Sequence, residues 1–309
     1  ARQIAAHCAL CHFDLPQLLA DSGLAGSLAI PLVQALRQRV AAVDAEAAKW
    51  VHFGATSQDA IDTAMVLQTQ TVGAALDADA KRLVAALRTL AQREAHTPAL
   101  ARTLLQPASV TTVGLKAAQW AGAIAHALQR VQTDAREAMC VQLGGAVGTL
   151  AVMGERGPVV RAALAQALGL ADAGASWHTQ RERWVALGCA VGVLVGACGK
   201  MARDWALMMQ AEVGELSEPH EPGRGASSAM AHKRNPVAAM TALAAAHRVP
   251  HRVAALLACM PQEHERALGG WQAELAEWAG LWISAAGAVR ALADAAPGLV
   301  VHRGRLLAN

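Results

Sequence analysis

The chain has 309 residues and a net charge of +3, from 27 Lys plus Arg against 24 Asp plus Glu. No basic run interleaves with aromatics, which excludes an extended nucleic-acid surface but leaves room for a small anionic substrate needing only a few local cations. Tyr is absent, Phe occurs only at Phe13 and Phe53, and Ala and Leu dominate, so the composition favours helix.

To about residue 45 the pattern is one of short helices, broken at Leu15-Pro16 and Asp21-Ser22-Gly23. CALCH, residues 8–12, matches the C-x-x-C-H pattern of haem attachment. Two thiols and an imidazole on an N-terminal helix is the plainer reading, because no export signal opens the sequence. All six cysteines are expected to be free thiols in a reducing cytoplasm, mostly on apolar helical faces. A start at Ala1 rather than Met suggests a missing N-terminal piece. VHFGATSQDAIDTA, 51–64, reads as a loop entering a helix: Gly54 permits an unusual backbone angle, Thr56 or Ser57 can cap, and Asp59 and Asp62 open the first turns.

Over 64–96, Met65, Leu67, Val72, Leu76, Leu83, Leu87 and Leu90 recur at threes and fours and predict a long helix. HTPALARTLLQPASVTT, 96–112, is expected to be a polar loop. Helix resumes to about Met139, with Trp120, Ile124, Leu128 and Val131 on one face. LGGAVGTLA, 143–151, is a glycine-rich turn without the Lys or spacing of a phosphate loop. The clearest helix is predicted over 180–216, roughly 50 Å at the usual rise. Its apolar stretch, 185–198, is shorter than the ~20 residues of a membrane span and reads as buried core. Two helices follow, bent or broken at Pro250, then a last one from Trp271. The fold class is all-α, a bundle of long helices whose several apolar faces imply burial against other subunits.

Five polar islands interrupt these helices, at 52–63, 102–112, 176–183, 220–236 and 263–272. Singly, each is most simply a solvated turn. Together they hold hydroxyls, amides, histidines and cations, the inventory of a carboxylate-binding pocket. No His, Asp and Glu set has metal-ligand spacing, so acid–base chemistry without metal or cofactor is expected.

GASSAMAHKRNPV, 225–237, resembles the signature loop of the fumarase/aspartase superfamily, and its HKRNP ending resembles the adenylosuccinate lyase and carboxymuconate cycloisomerase branches. HFGATSQDAIDT, LQPASVTTVGLKAAQW, LGGAVGTLA, SWHTQRERW and QEHERALGGWQAE extend the likeness over about residues 1–295, and most of them look more like the cycloisomerase branch. The resemblance implies a homotetramer with a helical-bundle core and active sites shared between subunits. It also implies an N-terminal helical domain over 1–75, a central bundle over 76–309, and a C-terminal domain this chain lacks. It assigns proton chemistry to Ser227, anion and oxyanion stabilisation to Lys233 and Asn235, and proton donation or orientation to His52. Thr56, Ser57, Thr103, Gln106, Gln180 and Arg266 become substrate contacts.

Three positions depart from the pattern. Leu104 stands where the superfamily often has His in T-H-x-Q, which argues against adenylosuccinate lyase and fumarase activity, since leucine relays no proton. Ala226 and Ala231 replace a small Gly or Ser and a proline in the signature loop. The implied reaction is cycloisomerisation of a tricarboxylate diene in the cytoplasm. The alternatives are fumarate-releasing elimination, as in adenylosuccinate lyase, or a silent homologue.

Overall fold

The computed structural model describes residues 1–230 and 232–309. In chain order its helices are α1 (Arg2–Ala6), α2 (Leu15–Ala25), α3 (Ala29–Ala41), α4 (Ala45–Ala48), α5 (Ser57–Arg93), α6 (Val113–Ala138), α7 (Gly157–Leu168), α8 (Glu182–Met208), α9 (Val237–Ala258), α10 (Gly270–Ala295) and α11 (Arg303–Ala308). Among the described residues six short strands pair two by two: β1 (Pro98–Thr103) with β2 (Gln106–Thr112), β3 (Cys140–Val141) with β4 (Ala171–Asp172), and β5 (Leu216–Ser217) with β6 (Val300–Val301). Helix dominates, as composition predicts.

Contacts divide the chain into two compact units. The first comprises 1–68, 139–181 and 262–268. Here α1, α3 and α4 close on Val40, Ala48 and Val51, and Arg37 donates to Val51 O at 3.0 Å. Farther along, Arg161 Nε donates to Asp172 Oδ1 at 2.6 Å, and Trp177 Nε1 to Val141 O at 3.0 Å.

The second unit comprises 69–138, 182–261 and 269–309. Its core is the apolar stripe read from the sequence: Leu187, Val191, Leu194, Cys198, Met201 and Trp205 of α8 are all buried, as are Trp120 and Ile124 of α6. Each such side chain stabilises the fold by about 1.5–3 kcal/mol. Trp184 stacks on Trp278 with ring centroids 3.8 Å apart, and Trp278 Nε1 donates to Thr69 Oγ1 at 2.8 Å. The apolar α8 is thus a core helix, and burial pushes its Cys198 thiol up to about 12.

Several expectations need correction. Helix α8 ends at Met208, not near 216; Gly214 adopts φ 61 and Leu216 pairs into β5, which no helix could do. The longest helix is instead α5, with 37 residues. The expected loop 96–112 is the β1–β2 hairpin. Helix α9 runs unbroken through Pro250, which is exposed on its surface. The thiols differ too: Cys140 and Cys198 are buried, whereas Cys8 and Cys11 lie exposed beyond the end of α1.

Candidate active site

The first two turns of α5 carry polar side chains inward. Gln58, Asp59, Asp62 and Thr63 are buried, which is tolerable only if each is hydrogen-bonded. Asp59 meets that demand in full. Its Oδ1 accepts from Gly144 N–H at 2.9 Å and lies 2.7 Å from His178 Nε2; its Oδ2 accepts from the N–H groups of Thr56 and Gly145, both at 2.9 Å. Asp62 accepts from both terminal nitrogens of Arg181, at 2.9 and 3.3 Å, and from the amides of Gln58 and Gln142 at 3.2 Å each.

The glycine-rich turn therefore cradles a carboxylate of the protein itself. A Cβ on Gly144 would lie 2.5 Å from Ser176 Oγ, and one on Gly145, at φ +71, 2.7 Å from Gly54 O. Only glycines let two successive amides come this close to Asp59.

Thr56 precedes the first residue of α5, where a hydroxyl ordinarily caps a free helical N–H. Here Oγ1 instead accepts from Arg266 Nη1 at 2.7 Å, while Arg266 Nη2 lies 3.5 Å from Ser57 Oγ. A hydroxyl that accepts from a guanidinium keeps its own proton free to donate. Among the described residues no carboxylate pairs with Arg266. Two hydroxyls, one cation and the N-terminus of α5 form a cradle suited to a carboxylate.

His52 belongs to the same unit, half-buried, with φ 57. Burial holds its imidazole below the usual 6.5; Asp59 opposes the fall and Arg37 adds to it. Gln180 is exposed. Beside it, Thr179 Oγ1 donates to His264 O at 2.8 Å, fastening this segment to the turn that carries Arg266.

The second unit holds the other residues singled out from the sequence. Thr103 and Gln106 are cross-strand partners on either side of the Leu104-Leu105 tip, all four exposed. The hairpin is anchored by Arg102, which forks the buried Glu215 at 2.7 and 3.1 Å. Ser227 Oγ accepts from the N–H groups of Met230 at 3.1 Å and Ala229 at 3.3 Å. Two amides on one hydroxyl oxygen are the donors an alkoxide needs. The loop is closed at its neck, where Asn235 N–H donates to Gly225 O at 2.9 Å and Ala226 bridges to Arg234. Glu218 caps α9 through the N–H groups of Ala238 and Ala239, at 3.1 and 3.0 Å. Lys233 is exposed and unpaired among the described residues; Ala231 lies outside them.

Thr56, Ser57 and Arg266 are thus in contact, and Ser227, Lys233 and Asn235 share one closed loop. Sequence reasoning gave His178 no role of its own and read Gly144-Gly145 only as part of a glycine-rich turn. The available signals were an Asp in the first turn of a helix and a Gly-Gly turn with no lysine.

The family described as Lyase matches residues 28–250. The 3-carboxy-cis,cis-muconate cycloisomerase of Bradyrhizobium diazoefficiens is 45% identical over 302 residues, 98% of this chain and 67% of that protein. The enzyme of the same name from Pseudomonas aeruginosa is 46% identical over 304 residues, 97% of this chain and 66% of its own. The crystal structure of 3-carboxy-cis,cis-muconate lactonizing enzyme from Pseudomonas putida superposes with a TM-score of 0.93 at 40% identity, over 99% of this chain and 68% of that one. The chain spans about two thirds of the length of these relatives.

Proposed function

The chain belongs to the lyase family of the fumarase/aspartase superfamily, and on that premise we propose that it is a cofactor-independent cycloisomerase of 3-carboxy-cis,cis-muconate. The observation that carries the reading is the cradle of Arg266, Thr56 and Ser57 at the head of α5. It offers charge-assisted donors to a carboxylate in a half-buried setting. The names of the relatives supply the substrate.

In this reading a substrate carboxylate oxygen forms a C–O bond to the β carbon of an activated double bond. The π electrons move into the carboxylate on the α carbon, giving a dianionic aci-carboxylate, and a proton delivered to that carbon completes the lactone. Ser227 handles the proton, its oxygen stabilised by the amides of Ala229 and Met230. Lys233 and Asn235 offset the developing charge, a contribution of about 3–4 kcal/mol per donor in comparable sites. His52, neutral at neutral pH, orients substrate as a hydrogen-bonding group. Thr103, Gln106 and Gln180 complete the contacts.

The reading carries with it a cytoplasmic homotetramer with shared sites. Support comes from apolar side chains left exposed on the long helices of the second unit, Val193, Met240 and Ile283 at 61%, 56% and 73%. The test is to mix purified protein with 3-carboxymuconate and follow diene absorbance. Decay faster than buffer is expected, with Ser227→Ala lowering kcat at least about a hundredfold. Decay at the buffer rate would sink the reading, and full activity in Ser227→Ala would remove that residue from the mechanism.

A further inference from the structure

Asp59 has two oxygens and room for about four hydrogen-bond donors. All four places are filled, three by backbone N–H groups of Thr56, Gly144 and Gly145 and the fourth by His178. His178 is therefore the one side chain in the set, and the one partner whose removal leaves the backbone donors chemically unchanged.

The ring is held for that task. His178 is 3% exposed, and Gln58 Nε2 donates to its main-chain O at 2.9 Å. Its Cε1 lies 3.0 Å from where a Cβ on Gly144 would stand, so the ring packs on the glycine turn itself. Its Nδ1 has no hydrogen-bond partner among the described residues, and its whole polar engagement is the 2.7 Å contact from Nε2 to Asp59. An imidazole facing a carboxylate this way carries its proton on Nε2 and donates it. Without that donor, Oδ1 would keep a single partner in a buried place, which costs more than the bond contributes net. Asp59 would then loosen from the turn, and with it the Thr56 amide.

We infer that His178 is a positioning residue: through Asp59 it fixes the Thr56 backbone so that the Thr56 and Ser57 hydroxyls, with Arg266, meet a substrate carboxylate. The inference rests on the reading of that cradle as a substrate subsite. It concerns binding more than the proton step, because the hydrogen bond of His178 goes to Asp59, which in turn holds the Thr56 amide. A purely structural role would lower folding stability and the active fraction but leave KM alone.

The test compares His178→Ala, His178→Gln and His178→Asn in the purified protein. Glutamine can place an amide donor about where Nε2 stands, whereas asparagine is too short to reach Oδ1. KM for 3-carboxymuconate is measured together with the Kd of tricarballylate, an unreactive tricarboxylate, by calorimetry. His178→Ala is expected to raise both about tenfold or more, with kcat changed less than about threefold. His178→Gln recovers most of the loss and His178→Asn does not. If His178→Ala fails to fold, the comparison of Gln with Asn decides. Unchanged KM and Kd in the Ala variant, or equal values for Gln and Asn, would overturn the inference. Should the wild type bind tricarballylate but leave 3-carboxymuconate untouched, the proposed reaction fails; the pattern of Kd values then still decides the role of His178. No binding of tricarballylate by the wild type would overturn the cradle and the inference together.

Discussion

His52 combines backbone strain with a lowered affinity for protons. Its φ of 57 lies in the left-handed region, which costs a non-glycine residue about 1–2 kcal/mol. Half-burial then lowers its affinity for protons. The sign of the consequence follows from linkage. A folded-state value below the unfolded 6.5 means that the unfolded chain binds more protons, so stability falls as pH drops through 6.5 towards the folded value. Above 6.5 both states are neutral and the penalty is absent. His52→Gln is expected to flatten the fall in urea stability between about pH 7.5 and about pH 5, relative to wild type. An unchanged profile would mean that other groups set it. The role proposed for His52 rests on the motif alone; its backbone strain was not legible in the sequence, because φ depends on how Gly54 and the following helix are seated.

At the level of elements, periodicity located the helices and misjudged their ends. Pro250 was expected to bend or break a helix, yet α9 continues past it. Val249 and Leu256 on either side are fully buried, and that packing outweighs a lost hydrogen bond. Pro250→Ala should therefore restore the bond and stabilise the protein by up to about 3 kcal/mol, read from urea unfolding. A destabilised variant would show that the helix needs its proline. The hairpin β1–β2 was missed for the opposite reason. Its turn residues, Leu104 and Leu105, carry none of the Asn or Gly signal of a tight turn, yet both adopt positive φ, at 53 and 64. They are 96% and 71% exposed, so nothing apolar compensates locally. Leu105→Gly is expected to stabilise the fold by about 1 kcal/mol, and calorimetric unfolding checks it; a lower Tm would place the strain elsewhere.

For the whole molecule, the helices that bury Trp184, Trp205 and Trp278 also leave Val193, Met240 and Ile283 in solvent. Assembly would cover them, and the proposed tetramer makes a direct prediction: sedimentation at four times the 32.0 kDa chain mass, with monomer alone counting against it. Sequence by itself determined the all-α class, the buried α8 stripe, the family and the loops that bear Ser227 and Thr56. The class and the stripe follow from spacing and residue type, which are local properties; the family follows from the resemblance of the signature loop and its companion motifs. Only the tertiary structure decided that Asp59 meets amides 85 and 86 residues away, that His178 reaches it across 119, and that Arg266 reaches Thr56 across 210. Helical periodicity says which face turns inward. Which buried polar groups then satisfy one another is settled by packing, because any unpaired one would cost more than its hydrogen bond contributes.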